Sequence, residues 1–172
     1  APGGSGMRPG EAGLLRAVAS PRRLEEVLMA FWLEQFKAGQ DDAAMEALRP
    51  HVLGRYPAMR AALERHAHEK GRILNAGSER EALDALLRHF VSAPSASLQR
   101  SLARVWNATG GEQRAVLRVL FTSPEFLAPA QWNSKRKDDV RFVVSAVRAS
   151  GVKVEDAAPL VEFLRPPTKD VG

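Results

Sequence analysis

The sequence predicts an all-α fold, a compact bundle of about seven or eight short helices with flexible N- and C-terminal tails. Apolar residues recur every three or four positions in successive segments, and strict alternation of apolar and polar residues is absent. Gly, Pro and Ser fall between those segments, where helices begin and end. No Asn-Gly or Asp-Gly pair joins two apolar runs, so the sequence gives no sign of a β-hairpin.

The chain is long enough to form one domain with its own core. It has 172 residues, and a chain of this length buries roughly 70% of the surface that its unfolded form exposes. The predicted organisation is a tail over residues 1–10, a single helical domain over residues 11–164 and a second tail over residues 165–172. Both tails are rich in Gly or Pro, a composition that does not build a packed core.

The N-terminal half contains three helical patterns separated by Gly and Pro. Ser20 and Pro21 predict the N-cap and the first position of the strongest helix. The apolar residues on one face of that helix are Leu24, Val27, Leu28, Phe31, Trp32 and Phe36. Asp41 opens a short second pattern, and Pro57 begins a third that is expected to end near Gly71.

The C-terminal half continues with capped, amphipathic segments. Ser78 and Glu81 have the spacing of a capping box, and apolar residues follow at helical spacing in three successive segments. The stretch DDVRFVVSAVRASG contains β-branched residues that are common in strands. Its apolar face and its terminal glycine still predict a helix. The residues concerned are Val140, Val143, Val144, Val147 and Gly151.

The stretch FTSPEF, from Phe121 to Phe126, predicts a joint between helices and not a catalytic turn. Ser123 can cap the next helical turn, Pro124 fits the first position, and Glu125 complements the positive end of the helix dipole. A catalytic serine would need a histidine brought to it through the fold, because none lies nearby in the sequence.

Two longer stretches point to a known family. The first is SPRRLEEVLMAFWLEQF with the later ALRPHVLGRY, and the second runs from ALLRHFVS through GGEQRAVLRVLFTSPEFLAP to RFVVSAVRASG. Together they cover somewhat over half of the chain. They resemble a large bacterial family, the domain of unknown function 1800, of which this chain is identified as a shortened and divergent member.

Two departures from the family pattern bear on function. Members of the family carry a long central region rich in Glu, Asn and His, whereas here LGRYPAMRAALERH and EKGRILNAGSEREALDALLRH nearly abut. Gln35 replaces the histidine of the family's aromatic FW-x-x-H-F pattern. If the family has a polar active centre, most of it is missing from this chain. The resemblance implies an envelope context, because members are often exported and encoded beside a secreted partner, and it implies no enzyme class.

Few residue types here support catalysis or metal binding. Cys is absent, so thiolate ligands and cysteine nucleophiles are excluded. His66, His68 and Glu69 form the one cluster of metal-ligand types. Positions two apart point about 200° from each other on a helix, so His66 and His68 cannot bind one ion from the same face. We expect no catalytic, cofactor-binding or metal-binding residues and no cofactor; an enzyme reduced to this cluster is the third hypothesis.

The C-terminal half is basic within a chain of net charge +5. Arg100 with Arg104, and Arg114 with Arg118, lie one turn apart on faces opposite the apolar stripes, as a nucleic-acid groove requires. A solvated surface explains the same arginines, whose stems also cover apolar area. The other basic residues of this half are Arg80, Arg88, Lys135, Arg136, Lys137, Arg141 and Arg148. Nucleic-acid binding through this half is the alternative hypothesis.

Trp132 lies in the irregular polar stretch LAPAQWNSKRKDD, beside three basic residues. Its ring either anchors a partner or a lipid headgroup surface, or packs within the fold. The sequence leaves both uses open. The candidate partner-binding residues are Trp132, Lys135, Arg136, Lys137 and Arg141.

The leading hypothesis is a non-catalytic helical interaction or scaffold protein, an accessory subunit of a larger bacterial envelope or membrane-associated complex. Other protein subunits are the expected partners, and no small-molecule substrate is expected. Contact with a membrane surface fits, but a transmembrane span does not, because no apolar run approaches the ~20 residues that a span needs. A periplasmic or membrane-associated location is favoured over the cytoplasm.

Overall fold

The computed structural model describes residues 11–38, 42–74, 77–131, 134–135 and 137–164, and both predicted tails lie outside these ranges. Within them the regular structure is helical, apart from one isolated bridge between Arg55 and Glu112, which confirms the all-α prediction. The described residues form ten α-helices and one 3₁₀ helix. The number exceeds the predicted seven or eight because short elements such as α8, with four residues, were not separated from their neighbours.

The α-helices are, in chain order, α1 (Glu11–Ala19), α2 (Arg23–Gln35), α3 (Asp42–Leu48), α4 (Tyr56–Glu69), α5 (Glu79–Phe90), α6 (Ala96–Thr109), α7 (Gln113–Phe121), α8 (Pro124–Leu127), α9 (Asp139–Ser150) and α10 (Ala158–Phe163). The 3₁₀ helix covers Pro129–Gln131. One predicted boundary was wrong: α2 begins at Arg23, two residues after Pro21. The Ser20 hydroxyl accepts from the backbone N–H of Arg22 at 3.1 Å and closes a turn before the helix.

The chain divides into two groups of contacting residues. The smaller unit consists of residues 1–26 and 137–172, and the larger unit consists of residues 27–136, with the boundary inside α2. The single domain expected over residues 11–164 stays a prediction, because the two groups are defined by contacts and neither is shown to fold alone.

The smaller unit packs α1 against α9 and α10. Its buried apolar side chains in the described ranges are Leu14, Val143 and Ala157. The Arg148 guanidinium donates to the backbone carbonyl of Val18 at 3.2 Å, and burial, followed by the nearby charge of Arg23, lowers the pKa of Arg148. The helix predicted over DDVRFVVSAVRASG is confirmed as α9, and Gly151 ends it in the left-handed conformation.

The larger unit is built on a cluster of buried aromatic rings. The Trp32 and Tyr56 ring centroids lie 5.4 Å apart, and those of Tyr56 and Trp106 lie 5.3 Å apart. Phe36 stacks on Tyr56 at 6.0 Å. Aromatic pairs at such distances add favourable edge and face contacts to the burial of their area, so this cluster joins α2, α4 and α6.

A buried amide lies beside these rings. Gln113 is fully buried, and its Oε1 accepts from the Trp32 indole N–H at 2.6 Å. Its Nε2 donates to the His51 carbonyl at 3.4 Å and to the Met59 sulfur at 3.3 Å. Both ends of the amide therefore have partners, as a buried polar group requires.

A short backbone bridge holds the starts of α4 and α7 together. The Tyr56 N–H donates to the Gly111 carbonyl at 2.9 Å, and the Gln113 N–H donates to the Gly54 carbonyl at 2.9 Å. Gly111 has a φ of +76°, and a Cβ built on it lies 3.3 Å from both Trp106 and Tyr56. Glycine is required here by both its conformation and its space.

The capping box predicted before α5 is confirmed. The Ser78 hydroxyl accepts from the Glu81 N–H at 3.2 Å, and the Glu81 carboxylate accepts from the Ser78 N–H at 2.7 Å. This backbone hydrogen bond, followed by that of the Ser78 hydroxyl, lowers the pKa of Glu81. The box fixes the first turn of α5.

We expect Gly111→Ala to destabilise the protein more than Gly110→Ala does. Both glycines have positive φ, but a Cβ at Gly110 meets nothing within 4 Å. Each substitution lowers the free energy of unfolding by about 1–2 kcal/mol, because alanine is strained in the left-handed conformation. Gly111→Ala lowers it by about 1 kcal/mol or more in addition, because its Cβ crowds two buried rings. Urea unfolding of the two variants measures the difference, and equal losses would show that the rings do not crowd this position.

Candidate functional site

The FTSPEF stretch is a helix joint, as its sequence indicates. The Ser123 hydroxyl accepts from the Phe126 N–H at 3.2 Å and donates to the Leu120 carbonyl at 2.7 Å. The Phe121 and Phe126 ring centroids lie 4.9 Å apart at the corner. The Ser123 hydroxyl therefore joins α7 to α8 by capping.

Glu125 adds a contact that the sequence did not reveal. Its carboxylate accepts from the Ser95 N–H at 2.9 Å and also from the Ser95 hydroxyl. The same hydroxyl accepts from the Leu98 N–H at 3.1 Å and caps α6. One carboxylate thus links the start of α8 to the start of α6.

The side chains of His66, His68 and Glu69, at the end of α4, do not converge on one point. His66 is buried, whereas His68 and Glu69 are exposed, as the helical spacing requires. Among the described residues no group of three or more His, Cys, Asp or Glu is placed to hold a metal ion. Gln35, which stands where the family pattern has a histidine, is exposed at the last position of α2.

Two further pKa shifts have structural causes. Burial is the largest influence on the Tyr56 phenol and raises its pKa. A 2.7 Å hydrogen bond to Glu64, one turn along α4, raises the pKa of Arg60. The charge of Arg60, one turn further along α4, acts in the opposite direction and lowers the pKa of Tyr56.

The proposed partner-binding residues lie in different places. The Lys135 ammonium, in the larger unit, donates to the carbonyls of Arg88 and His89 at the end of α5, where the helix dipole favours a positive charge. Lys137 and Arg141 lie in the smaller unit and are exposed. Lys137 Nζ lies 2.8 Å from the Ser145 hydroxyl, and Arg141 pairs with Asp138 at 3.4 Å. Trp132 and Arg136 fall outside the described residues.

The smaller unit exposes large apolar side chains. Val140, which the sequence placed on the apolar face of α9, is 49% exposed, and the others were not singled out in the sequence. Phe142 is 61% exposed and Phe163 is 76% exposed. We call these two residues, together with Val140 and Val152, the exposed apolar set. The sequence signal for Phe142 was available, since this ring lies off the stripe of Val143 and Val147 that faces α1.

The charges of the smaller unit balance. Its described side chains, residues 13–26 and 137–164, include seven basic and seven acidic residues. Several form exposed pairs, such as Lys153 with Glu155 at 3.1 Å and Arg22 with Glu25 at 3.6 Å. The exposed apolar set therefore lies in surroundings without a dominant charge.

Helices α6 and α7 carry the basic surface of the larger unit. Four exposed arginines lie on them, and neither helix contains Asp or Glu. Within the described part of the chain none of their four guanidinium groups has a hydrogen-bond or ion-pair partner. We call them the α6–α7 arginines: Arg100, Arg104, Arg114 and Arg118.

Comparison with protein-family models matches residues 82–169 to a family described as "Protein of unknown function (DUF1800)". The matched residues make up just over half of the chain and run from α5 beyond α10. They contain the whole of the second stretch on which the family resemblance was based, and the first stretch lies before them. Comparisons with curated proteins and with solved structures gave no match.

Proposed function

This chain belongs to the DUF1800 family of proteins of unknown function, and on that premise we propose that it works by contact with another protein subunit. In this proposal it is a non-catalytic helical accessory or scaffold protein of a larger bacterial envelope or membrane-associated complex. The observation that carries the proposal is the exposed apolar set of the smaller unit.

The proposal takes the two exposed phenylalanines as anchors of an interface. Within its described residues the smaller unit buries three apolar side chains and exposes four large ones, of which two are phenylalanines. Fully burying a Phe side chain stabilises by about 1.5–3 kcal/mol, so Phe142 and Phe163 would be strong anchors in a partner's pocket. A partner that covers them would also supply apolar contacts that this unit lacks.

The chemistry of the surface favours a protein partner. Balanced charge gives no attraction to a polyanion, whereas apolar anchors among mixed charges are typical of protein interfaces. No helix in the described ranges is long and apolar enough to cross a membrane. The envelope setting depends on the family resemblance, and the non-catalytic role depends on the structural use of residues such as Ser123.

Affinity capture from membranes of the bacterium that encodes the chain tests this proposal. We expect wild type to recover a defined partner and Phe142→Ser/Phe163→Ser to recover it at least about tenfold less well. Ile73→Ser/Leu127→Ser is the matched control, because it removes two exposed apolar residues of the larger unit. Equal recovery by both double variants, or a monomer that co-purifies with nothing, would contradict the proposal.

The second candidate function is nucleic-acid binding, for which the α6–α7 arginines are the supporting observation. They are exposed, they lack carboxylate neighbours on their own helices, and they belong to a unit with a net positive charge. Arginines in such a setting bind phosphates through paired N–H groups. The proposal centres on these four residues because Lys137, Arg141 and Arg148 lie in the smaller unit, whose described charges balance.

Binding of a fluorescent DNA duplex at about 50 and 200 mM salt tests the second candidate. Log affinity falls linearly with log salt concentration when arginines contact phosphates. We expect substitution of the four α6–α7 arginines by Gln to make this negative slope less steep by about 3 to 4. A matched variant removes four exposed charges from the smaller unit, at Arg22, Lys137, Arg141 and Lys153. Absence of binding by wild type at the lower salt, or equal effects of the two variants, would exclude this function.

A further inference from the structure

We infer that the groove between α5 and α6 binds a small organic anion, a carboxylate group carried on an apolar body. The groove lies wholly within the larger unit, and its ten lining residues come from these two helices. The groove shares no residue with the exposed apolar set, so this inference can be tested independently of the proposed protein partner.

The groove has the volume of a small-molecule site and apolar side chains at its base, which we call its floor. Its volume is about 440 Å³, within the range of roughly 300–1,000 Å³ that is usual for small-molecule sites. Leu83 and Trp106 are nearly fully buried and Ala103 is half-buried, so the floor is apolar. Ala96 and Ala103 stand seven residues apart on the wall formed by α6, and their short side chains leave the space open.

The ring in the floor is held in place. The Trp106 indole N–H donates to the Glu79 carboxylate at 2.9 Å, and its ring lies against Tyr56 at 5.3 Å. The hydrogen bond also occupies Glu79, one of the two carboxylates that line the groove. A fixed ring presents its surface to an apolar ligand with little loss of side-chain entropy.

Each wall supplies one guanidinium to the groove. Arg80 comes from α5 and Arg100 from α6, and both are exposed. In the described ranges neither guanidinium has a hydrogen-bond or ion-pair partner, although Asp84 lines the same groove. Their N–H groups are therefore available to a ligand anion, and the planar guanidinium matches a carboxylate in geometry.

The same charges select among anions. Glu79 and Asp84 in the lining repel a doubly charged phosphate more strongly than a singly charged carboxylate. The apolar floor favours a carboxylate that carries an aromatic or aliphatic body over a small inorganic anion. The ligand class that fits is an aromatic or short aliphatic carboxylic acid.

Titration of the ¹⁵N-labelled protein with 4-phenylbutyrate tests the inference, with the neutral 4-phenylbutanamide as matched probe. We expect saturable shifts of the Trp106 indole N–H signal with the acid and at least about tenfold weaker binding of the amide. The signal is assigned through Trp106→Phe, and the other indole signals report whether the fold is intact. Absence of saturation, or equal affinity for both probes, would overturn the inference.

Variants of the two walls locate the site. Arg80→Gln and Arg100→Gln are each expected to weaken binding of 4-phenylbutyrate by about tenfold, and Ala103→Leu is expected to abolish it by filling the floor. Arg88→Gln is the control, because it removes the same charge from an exposed residue two turns along α5 from Arg80 and outside the groove. A loss in Arg88→Gln equal to that in Arg80→Gln would show a nonspecific charge effect and overturn the assignment.

Discussion

The hydrogen bond between the Trp32 indole and the Gln113 amide is the constraint on which the larger unit depends. An amide buried without partners destabilises a core, so Gln113 is tolerated only where Trp32, the His51 carbonyl and Met59 all meet it. The backbone bridge at Gly54 and Gly111 closes beside it. This network fixes the start of α7. Because Tyr56 packs against Trp106, the network also fixes the ring that forms the floor of the groove.

Much of the helical framework could be predicted from the sequence because its signals are local. Apolar side chains one turn apart identify the buried face of a helix, and Ser78 and Glu81 cap α5 through neighbours three residues away. FTSPEF was interpreted correctly for the same reason. The start of α2 was placed too early, because Ser20 and Pro21 fit a turn before a helix as well as they fit its cap.

The features of the fold and of the candidate site that could not be predicted depend on contacts between residues that are distant in the chain. Trp32 and Gln113 are 81 positions apart, and nothing in the surroundings of Gln113 marks it as buried. Lys135, which was predicted to contact a partner, shows the effect on the candidate site, because it also donates to carbonyls 46 and 47 positions away. The groove that Arg80 and Arg100 share likewise follows from packing, which a periodic pattern does not specify.

A double-mutant cycle on Trp32→Phe and Gln113→Leu tests the central constraint most directly. Either single substitution leaves one buried polar group without its partner, whereas the double substitution removes both groups. Urea unfolding should therefore give a coupling energy of about 1–3 kcal/mol, with the double variant less destabilised than the sum of the singles. Strictly additive losses would contradict the account, because they would show that the indole and the amide do not depend on each other.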